Sequence, residues 1–277
     1  MSYRVRDDSA ADAASRIDRI VRYWNRRSQT YSNGVVTEFG SANYAEWRTI
    51  LNSHIAQISM QNSEREHGAA ELAALDLGCG PGFFCTLLSS LGCKVIGMDF
   101  SEKMIEQART NVATYGVPER VSFRIGDASH TDFPNESFDL IVMRNVTWLM
   151  QDPLAAFKEW HRILRPGGRL VFFDANWYRY LVDEETDSER RCDQADPAKL
   201  GWADNTKATQ DEEAECEAIA RELPMTAKLR PKWDVHALKN AGFKEAQSDV
   251  NVWRKVWTPG EQAFYASSPL FMVAAQK

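Results

Sequence analysis

The run Ala74-Leu75-Asp76-Leu77-Gly78-Cys79-Gly80-Pro81-Gly82-Phe83-Phe84 constrains this chain more than any other stretch. An apolar strand that passes through a glycine-rich turn into a helix leaves few architectures open. Glycines at alternate positions take the Cβ away from one side of the turn, so the backbone can approach a ligand and adopt positive φ. The helix expected from Phe83 to Leu91 points its unpaired N-terminal amides at that ligand, which suits a carboxylate or a phosphate. The same glycines also read as a purely steric requirement of a tight strand-to-helix turn.

The residues that follow favour the ligand. Lys94 to Met98 reads as a second strand that ends in Asp99, with Ser101 behind it as a helix cap. An acid about 20 positions past a glycine turn is placed to accept hydrogen bonds from ribose hydroxyls. Val121 to Ile125 reads as a third strand closed by Gly126-Asp127-Ala128, and Phe138 to Met143 as a fourth. Leu164 to Gly168 reads as a helix end and a Pro-Gly-Gly turn, running into a fifth strand at Arg169 to Phe173. In that order the blocks LDLGCGPG, VIGMDFS, GDA, FDLIVMRNV and LRPGGRLVFF resemble those of class I S-adenosylmethionine-dependent methyltransferases. The resemblance covers Leu75 to about Asp174 and is looser outside it. It implies an α/β fold: a doubly wound, mostly parallel seven-stranded sheet with N-terminal helices and an inserted helical cap. Phe243 to Trp253 and the apolar run from Pro269 would close the sheet as an antiparallel hairpin, a feature that a nucleotide dehydrogenase sheet lacks.

Composition agrees with one enzyme of moderate size. The 277 residues, 44% hydrophobic and 26% charged, can bury a large core, with one domain plus a subdomain expected. A net charge of -6 argues against a general nucleic-acid binder and for a small-molecule partner. No apolar run reaches the ~18 residues of a membrane span, and the opening residues are polar and Arg-rich, so a cytoplasmic protein is expected. The five cysteines include no C-x-x-C pair, and neither a disulfide framework nor a metal site is indicated. Monomer and homodimer both remain open.

The organisation divides into residues 1–68, an N-terminal helical segment that covers the site; 69–174, the cofactor-binding core; 175–230, an inserted cap or lid; and 231–277, a C-terminal helix and hairpin that complete the sheet. The first ten residues are expected to be loose. A helix is expected from Asp12 to about Arg27, broken by Arg27 to Gly34. A second runs from Tyr44 to Met60, followed by a polar linker from Gln61 to Gly68. The cap carries Trp177, Tyr178, Tyr180 and Trp202 and an acidic helical pattern from Asp211 to Leu223; it reads as too polar to form a core of its own.

Carried over residue by residue, the resemblance implies that Gly78, Cys79 and Gly80 approach the methionine moiety of S-adenosylmethionine, while Asp76 orients the turn or meets the amino group. It implies Asp99 at the ribose, Phe100 and Met104 flanking adenine, Asp127 and Ala128 at the adenine edge, and the backbone carbonyl of Arg144 at the methionine amine. Tyr31 is the aromatic expected to fold over the cofactor, with Tyr23, Trp24 and Arg27 behind it. Asn145, Trp148, Trp177 and Tyr178 are the candidates for contact with the acceptor, and His130 is the candidate base. Each acid also reads as a helix cap. The alternatives are a dinucleotide dehydrogenase, whose usual fingerprint is G-x-G-x-x-G; a DNA amino-methylating enzyme, whose D/N-P-P-aromatic string is missing after Met143; a quinone C-methyltransferase, suggested by Arg144-Asn145-Val146-Thr147; an arsenite methyltransferase, suggested by Cys192 and Cys216; and a non-catalytic cofactor-binding protein.

Overall fold

The alternating apolar strands and amphipathic helices resolve into a seven-stranded sheet of order β3-β2-β1-β4-β5-β7-β6. The computed structural model describes residues 10–64, 71–195 and 208–277. The strands are β1 (Ala73–Leu77), β2 (Lys94–Asp99), β3 (Val121–Ile125), β4 (Phe138–Arg144), β5 (Leu164–Asp174), β6 (Lys244–Asp249) and β7 (Phe271–Gln276). The first five pair in parallel, and β7 runs antiparallel between β5 and β6. Burial on both faces explains why β1, β4 and β5 read as near-continuous apolar runs, whereas the edge strand β6 carries Lys244, Glu245, Gln247 and Ser248.

The helices are α1 (Ala10–Phe39), α2 (Tyr44–Glu64), α3 (Phe83–Ser90), α4 (Glu102–Tyr115), α5 (Pro153–Ile163), α6 (Glu184–Gln194), α7 (Gln210–Arg221), α8 (Lys232–Asn240), α9 (Trp253–Val256) and α10 (Pro259–Phe264). Two large apolar clusters cover the two faces of the sheet. Leu51, Phe84, Leu140 and Phe173 belong to the one that gathers α2 and α3, and Leu75, Ile141, Trp160 and Leu238 to the one beneath α5 and α8. β1 and β4 are neighbours, yet the chain leaves β1 toward β2 and β3 and returns on the other side. That reversal opens a crevice at their carboxyl ends, the place where ligands bind in such sheets.

Several expectations need correction. The break from Arg27 to Gly34 does not occur, and α1 runs unbroken to Phe39. The Ser, Thr, Asn and Gly of that stretch each cost a helix about 1 kcal/mol or less, and tertiary packing outweighs them. Ser28 and Ser32 are buried, Asn111 on α4 donates to the Ser32 hydroxyl at 3.1 Å, and Val35 enters the core. Likewise α2 continues past Met60 through Gln61 to Glu64; of the ten residues expected to be loose, Ala10 already belongs to α1, and the other nine, the rest of the expected linker and Trp202 lie outside the described residues. The Pro-Gly-Gly turn sits inside β5 as a bulge: Leu164 already pairs with Phe138, and the register resumes at Leu140 with Arg169. The strand expected to reach Trp253 stops at Asp249, whose carboxylate accepts from the Asn251 amide at 2.8 Å and turns the chain into α9.

The cap does share a core. Cys216, Ile219, Ala220 and Leu223 pack on Ile20 and Tyr23 of α1 and on Trp148. Arg16 and Arg19 reach Glu222 at 3.1 and 2.8 Å, Arg26 pairs with Glu215, and Arg27 lies 3.4 Å from Glu212. Read alone, the acidic helix has no apolar partner; α1 supplies both the partner and the countercharge. Deeper, Arg230 is buried between Asp174 at 3.1 Å and Asp234 at 2.9 Å, which ties the end of β5 to α8.

Candidate active site

Each glycine of the turn answers to a different neighbour. Gly78, Gly80 and Gly82 all have positive φ, at 62°, 50° and 86°. A Cβ on Gly78 would sit 2.4 Å from Val146, and one on Gly82 would sit 3.1 Å from Ala108 of α4. On Gly80 it would meet nothing nearer than Tyr31 at 4.0 Å, because that face looks into the cavity. Of the three, only Gly80 therefore turns its missing side chain toward ligand space; the other two serve packing.

Two carboxylates, the half-buried Asp99 and the buried Asp76, hold the turn in shape. Asp99 Oδ2 accepts from the Gly80 amide at 2.8 Å and Oδ1 from the Ser101 amide at 2.9 Å. Asp76 is 2% exposed and accepts from the Cys85 amide at 3.0 Å and its thiol at 3.2 Å. Burial pushes Asp76 up to about 7 and Asp99 up to about 6, and the hydrogen bonds only partly offset that.

Around the turn lies a cavity, partly open to solvent, that takes in about 790 Å³ of atom-free space. Its walls include Tyr31, Asp76, Gly78, Cys79, Gly80, Asp99, Phe100, Met104, Ala128 and Arg144, ten of the residues expected at the cofactor. Asp127 is not among them. Its carboxylate caps its own loop, accepting from the Ser129 amide at 2.7 Å and lying 3.4 Å from His130. His130 is three-quarters exposed and lines neither this cavity nor the one beside it, so the candidate base stands outside the site.

A second cavity adjoins the first, with about 2620 Å³ of atom-free space. Trp24, Tyr31, Arg144 and Asn145 line both and form the neck between them. Arg144 is immobilised there: Glu38 accepts two of its hydrogen bonds, at 2.6 and 3.0 Å, and its guanidinium lies 4.3 Å from the centre of the Phe83 ring. Asn145 takes φ of 61°, its amide donates to Phe173 O at 2.8 Å, and its carbonyl accepts from the Trp148 indole at 3.0 Å. Its side-chain Oδ1 is buried without a hydrogen-bond partner. A non-glycine residue held in the left-handed region beside an unpaired polar atom is the kind of strain that collects at functional sites.

The expected acceptor-contact residues Trp148, Trp177 and Tyr178 all line this second chamber. The Trp148 and Tyr178 rings are 4.7 Å apart, and the Tyr178 hydroxyl lies 2.9 Å from Cys216 Sγ. Sequence reasoning missed Trp257, Glu261 and Tyr265, which also line the chamber. Their signal was present: Trp253, Trp257, Phe264 and Tyr265 crowd the segment between β6 and β7, and Thr258 to Glu261 spells a capping box. Extending the strand to Trp253 hid it.

Residues 75–172 match the family described as methyltransferase domain. The chain carries a class I S-adenosylmethionine-dependent methyltransferase domain. An arsenite methyltransferase of Halobacterium salinarum is 39% identical to the chain over 144 residues, 50% of this chain and 36% of that protein. A demethylmenaquinone methyltransferase of Lactiplantibacillus plantarum is 34% identical over 119 residues, 42% of this chain and 50% of that protein. The chain thus spans half or less of either relative's length. An S-adenosylmethionine dependent methyltransferase from Mesorhizobium loti shares the fold, with a TM-score of 0.50 at 21% identity over 75% of this chain and 92% of that one. The matched methyltransferase block ends at Phe172, before the cap and most of the second chamber's wall. Among the described residues no helix is long and apolar enough to cross a membrane, and no three His, Cys, Asp or Glu side chains are grouped to hold a metal ion.

Proposed function

We propose that this chain transfers a methyl group from S-adenosylmethionine, bound in the crevice at β1 and β4, to a small-molecule acceptor in the second chamber. The observation that carries this reading is the neck: two cavities meet at Trp24, Tyr31, Arg144 and Asn145, which suits a donor and an acceptor that must face each other in line. When bound, the sulfonium supplies an electrophilic methyl, and the C–S electron pair stays with sulfur. The acceptor's lone pair forms the new bond, and any proton it loses passes to solvent.

In this reading the chain binds and positions. The open side of Gly80 receives the methionine moiety; Gly78, Cys79 and the Arg144 carbonyl flank it. Asp99, its oxygens each holding one backbone amide, has lone pairs left for ribose hydroxyls. Phe100 and Met104 flank adenine at Ala128. Holding two reactants in attack geometry while excluding water supplies several powers of ten in rate without an acid or base. The exposed position of His130 supports a positioning mechanism over general-base catalysis. For the arsenite alternative, Cys216 is buried against Tyr178 and Cys192 is exposed on α6, which supplies no paired thiols.

Calorimetry on the full chain with S-adenosylmethionine and S-adenosylhomocysteine, in the presence of a chelator, tests the reading. Both are expected to bind. Binding of NAD instead, or of neither compound, overturns it.

A further inference from the structure

Three charged side chains line the first cavity, Asp76, Asp99 and Arg144. The two acids already have places at the turn and the ribose. The guanidinium of Arg144 has none, and it is the one cation among the described residues of that wall. S-adenosylmethionine brings two positive groups, its sulfonium and its ammonium, and one negative group, the carboxylate of its methionine end. A carboxylate drawn into a partly closed crevice needs charged or strong donors to replace water.

The glycine turn has few donors left. The amides of Cys79, Gly80 and Gly82 donate to Met98 O, Asp99 Oδ2 and Cys79 O at 3.0, 2.8 and 2.9 Å, and Pro81 has no N–H. On α3 the Cys85 amide goes to Asp76. Much of the helix start that suits an anion is thus taken by the chain's own acceptors.

Arg144 is placed differently. A guanidinium carries five N–H groups in a flat fork, with one edge formed by the two Nη atoms and another by Nε and a single Nη. Glu38 takes the first edge, Nη1 and Nη2, at 2.6 and 3.0 Å. The Nε–H donates to no described residue and keeps accessible surface, so the second edge is open. The guanidinium lies 4.3 and 5.7 Å from the ring centres of Phe83 and Phe84, both of which line the first cavity. Its charge also reaches Asp76, where it offsets part of the rise that burial imposes on that acid.

We propose that Arg144 holds the carboxylate of S-adenosylmethionine on the open edge of its guanidinium, while Glu38 fixes the other edge. This rests on S-adenosylmethionine occupying the crevice as read above. Arg144 is then a specificity residue for the cofactor, favouring ligands that carry the amino-acid carboxylate over adenosine thioethers that lack it.

The test uses the full chain and two ligands, S-adenosylhomocysteine and its decarboxylated analogue S-adenosyl-3-thiopropylamine, which keeps the amine. By calorimetry the wild type should bind the analogue at least tenfold more weakly, a gap of ~1.4 kcal/mol or more. Arg144→Gln should close that gap to within about twofold, weakening S-adenosylhomocysteine and leaving the analogue as it was. In the wild type the Arg144 Nε–H resonance should move downfield on adding S-adenosylhomocysteine and stay in place with the analogue, a readout that needs no variant to fold. Equal wild-type affinities, a gap that survives Arg144→Gln, or an Nε–H resonance that answers both ligands alike overturns the proposal. Binding of neither ligand by the wild type overturns the crevice reading itself, so the two failures are distinguishable.

Discussion

Gly78 and Gly80 stand two residues apart, both with positive φ, yet substitution should separate them. Gly80→Val should abolish binding of S-adenosylhomocysteine, a loss of 100-fold or more by calorimetry, because its side chain fills the ligand's space while meeting only Tyr31 at 4.0 Å. Gly78→Ala should instead unfold at lower temperature, by about 1–3 kcal/mol, since its Cβ meets Val146 at 2.4 Å. Asp76 and Asp99 extend the residue scale to pH. Both are raised above the ordinary 3.8 by burial, so the folded state keeps protons that the unfolded chain releases. Their contribution to stability is full below about pH 4 and is lost as pH rises through 6 to 7. Thermal unfolding across this range should show Asp76→Asn flattening that decline relative to wild type. An unchanged slope would mean that other groups set it.

At the scale of elements, α1 and α7 are expected to open as one unit. Their contact joins an apolar patch, Ile20 and Tyr23 on Ile219 and Leu223, to arginines and glutamates facing across it. The ion pairs are largely exposed at one partner and contribute little each; the apolar patch carries the contact. Ile219→Ala should cost about 2–5 kcal/mol locally. Hydrogen exchange should then quicken together in α7 and in the first half of α1, while β1, β4 and β5 keep their protection. Faster exchange confined to α7 would show that the cap docks independently of α1.

For the whole molecule, the junction between sheet and cap rests on Arg230. Its guanidinium is 1% exposed and holds two fully buried carboxylates, Asp174 and Asp234, while Asp174 also accepts from the Thr147 hydroxyl and the Trp148 amide. Arg230→Ala strands those acids, at a cost of about 3–5 kcal/mol. A drop in melting temperature on the order of 10 °C is expected by calorimetry. Because Trp148 lies at the second chamber, this network also sets where the chamber's wall stands relative to the neck.

The sheet was legible from its residues. Continuous apolar runs demand burial on both faces, and glycine turns and strand-end acids mark the carboxyl edge wherever they occur, so local chemistry alone placed Gly80, Asp99 and Arg144 on one rim. The continuation of the N-terminal helix from Arg27 to Phe39 was not, because each of Ser28, Thr30, Ser32, Asn33 and Gly34 disfavours a helix slightly and tertiary packing, such as that of Ser32 on α4 and Val35 in the core, overrides them. The pairing of the acidic α7 with the arginines of α1 joins residues nearly 200 positions apart, as Arg26 and Glu215 are, and no local pattern encodes it. Which glycine leaves its Cβ side open to the cavity, that Asp127 and His130 line neither cavity, and that Trp177, Trp257 and Tyr265 lie together were decided by the tertiary structure. Side-chain direction at a turn or a chamber wall depends on what packs against it, and that neighbour is set by the fold and not by adjacency in the chain.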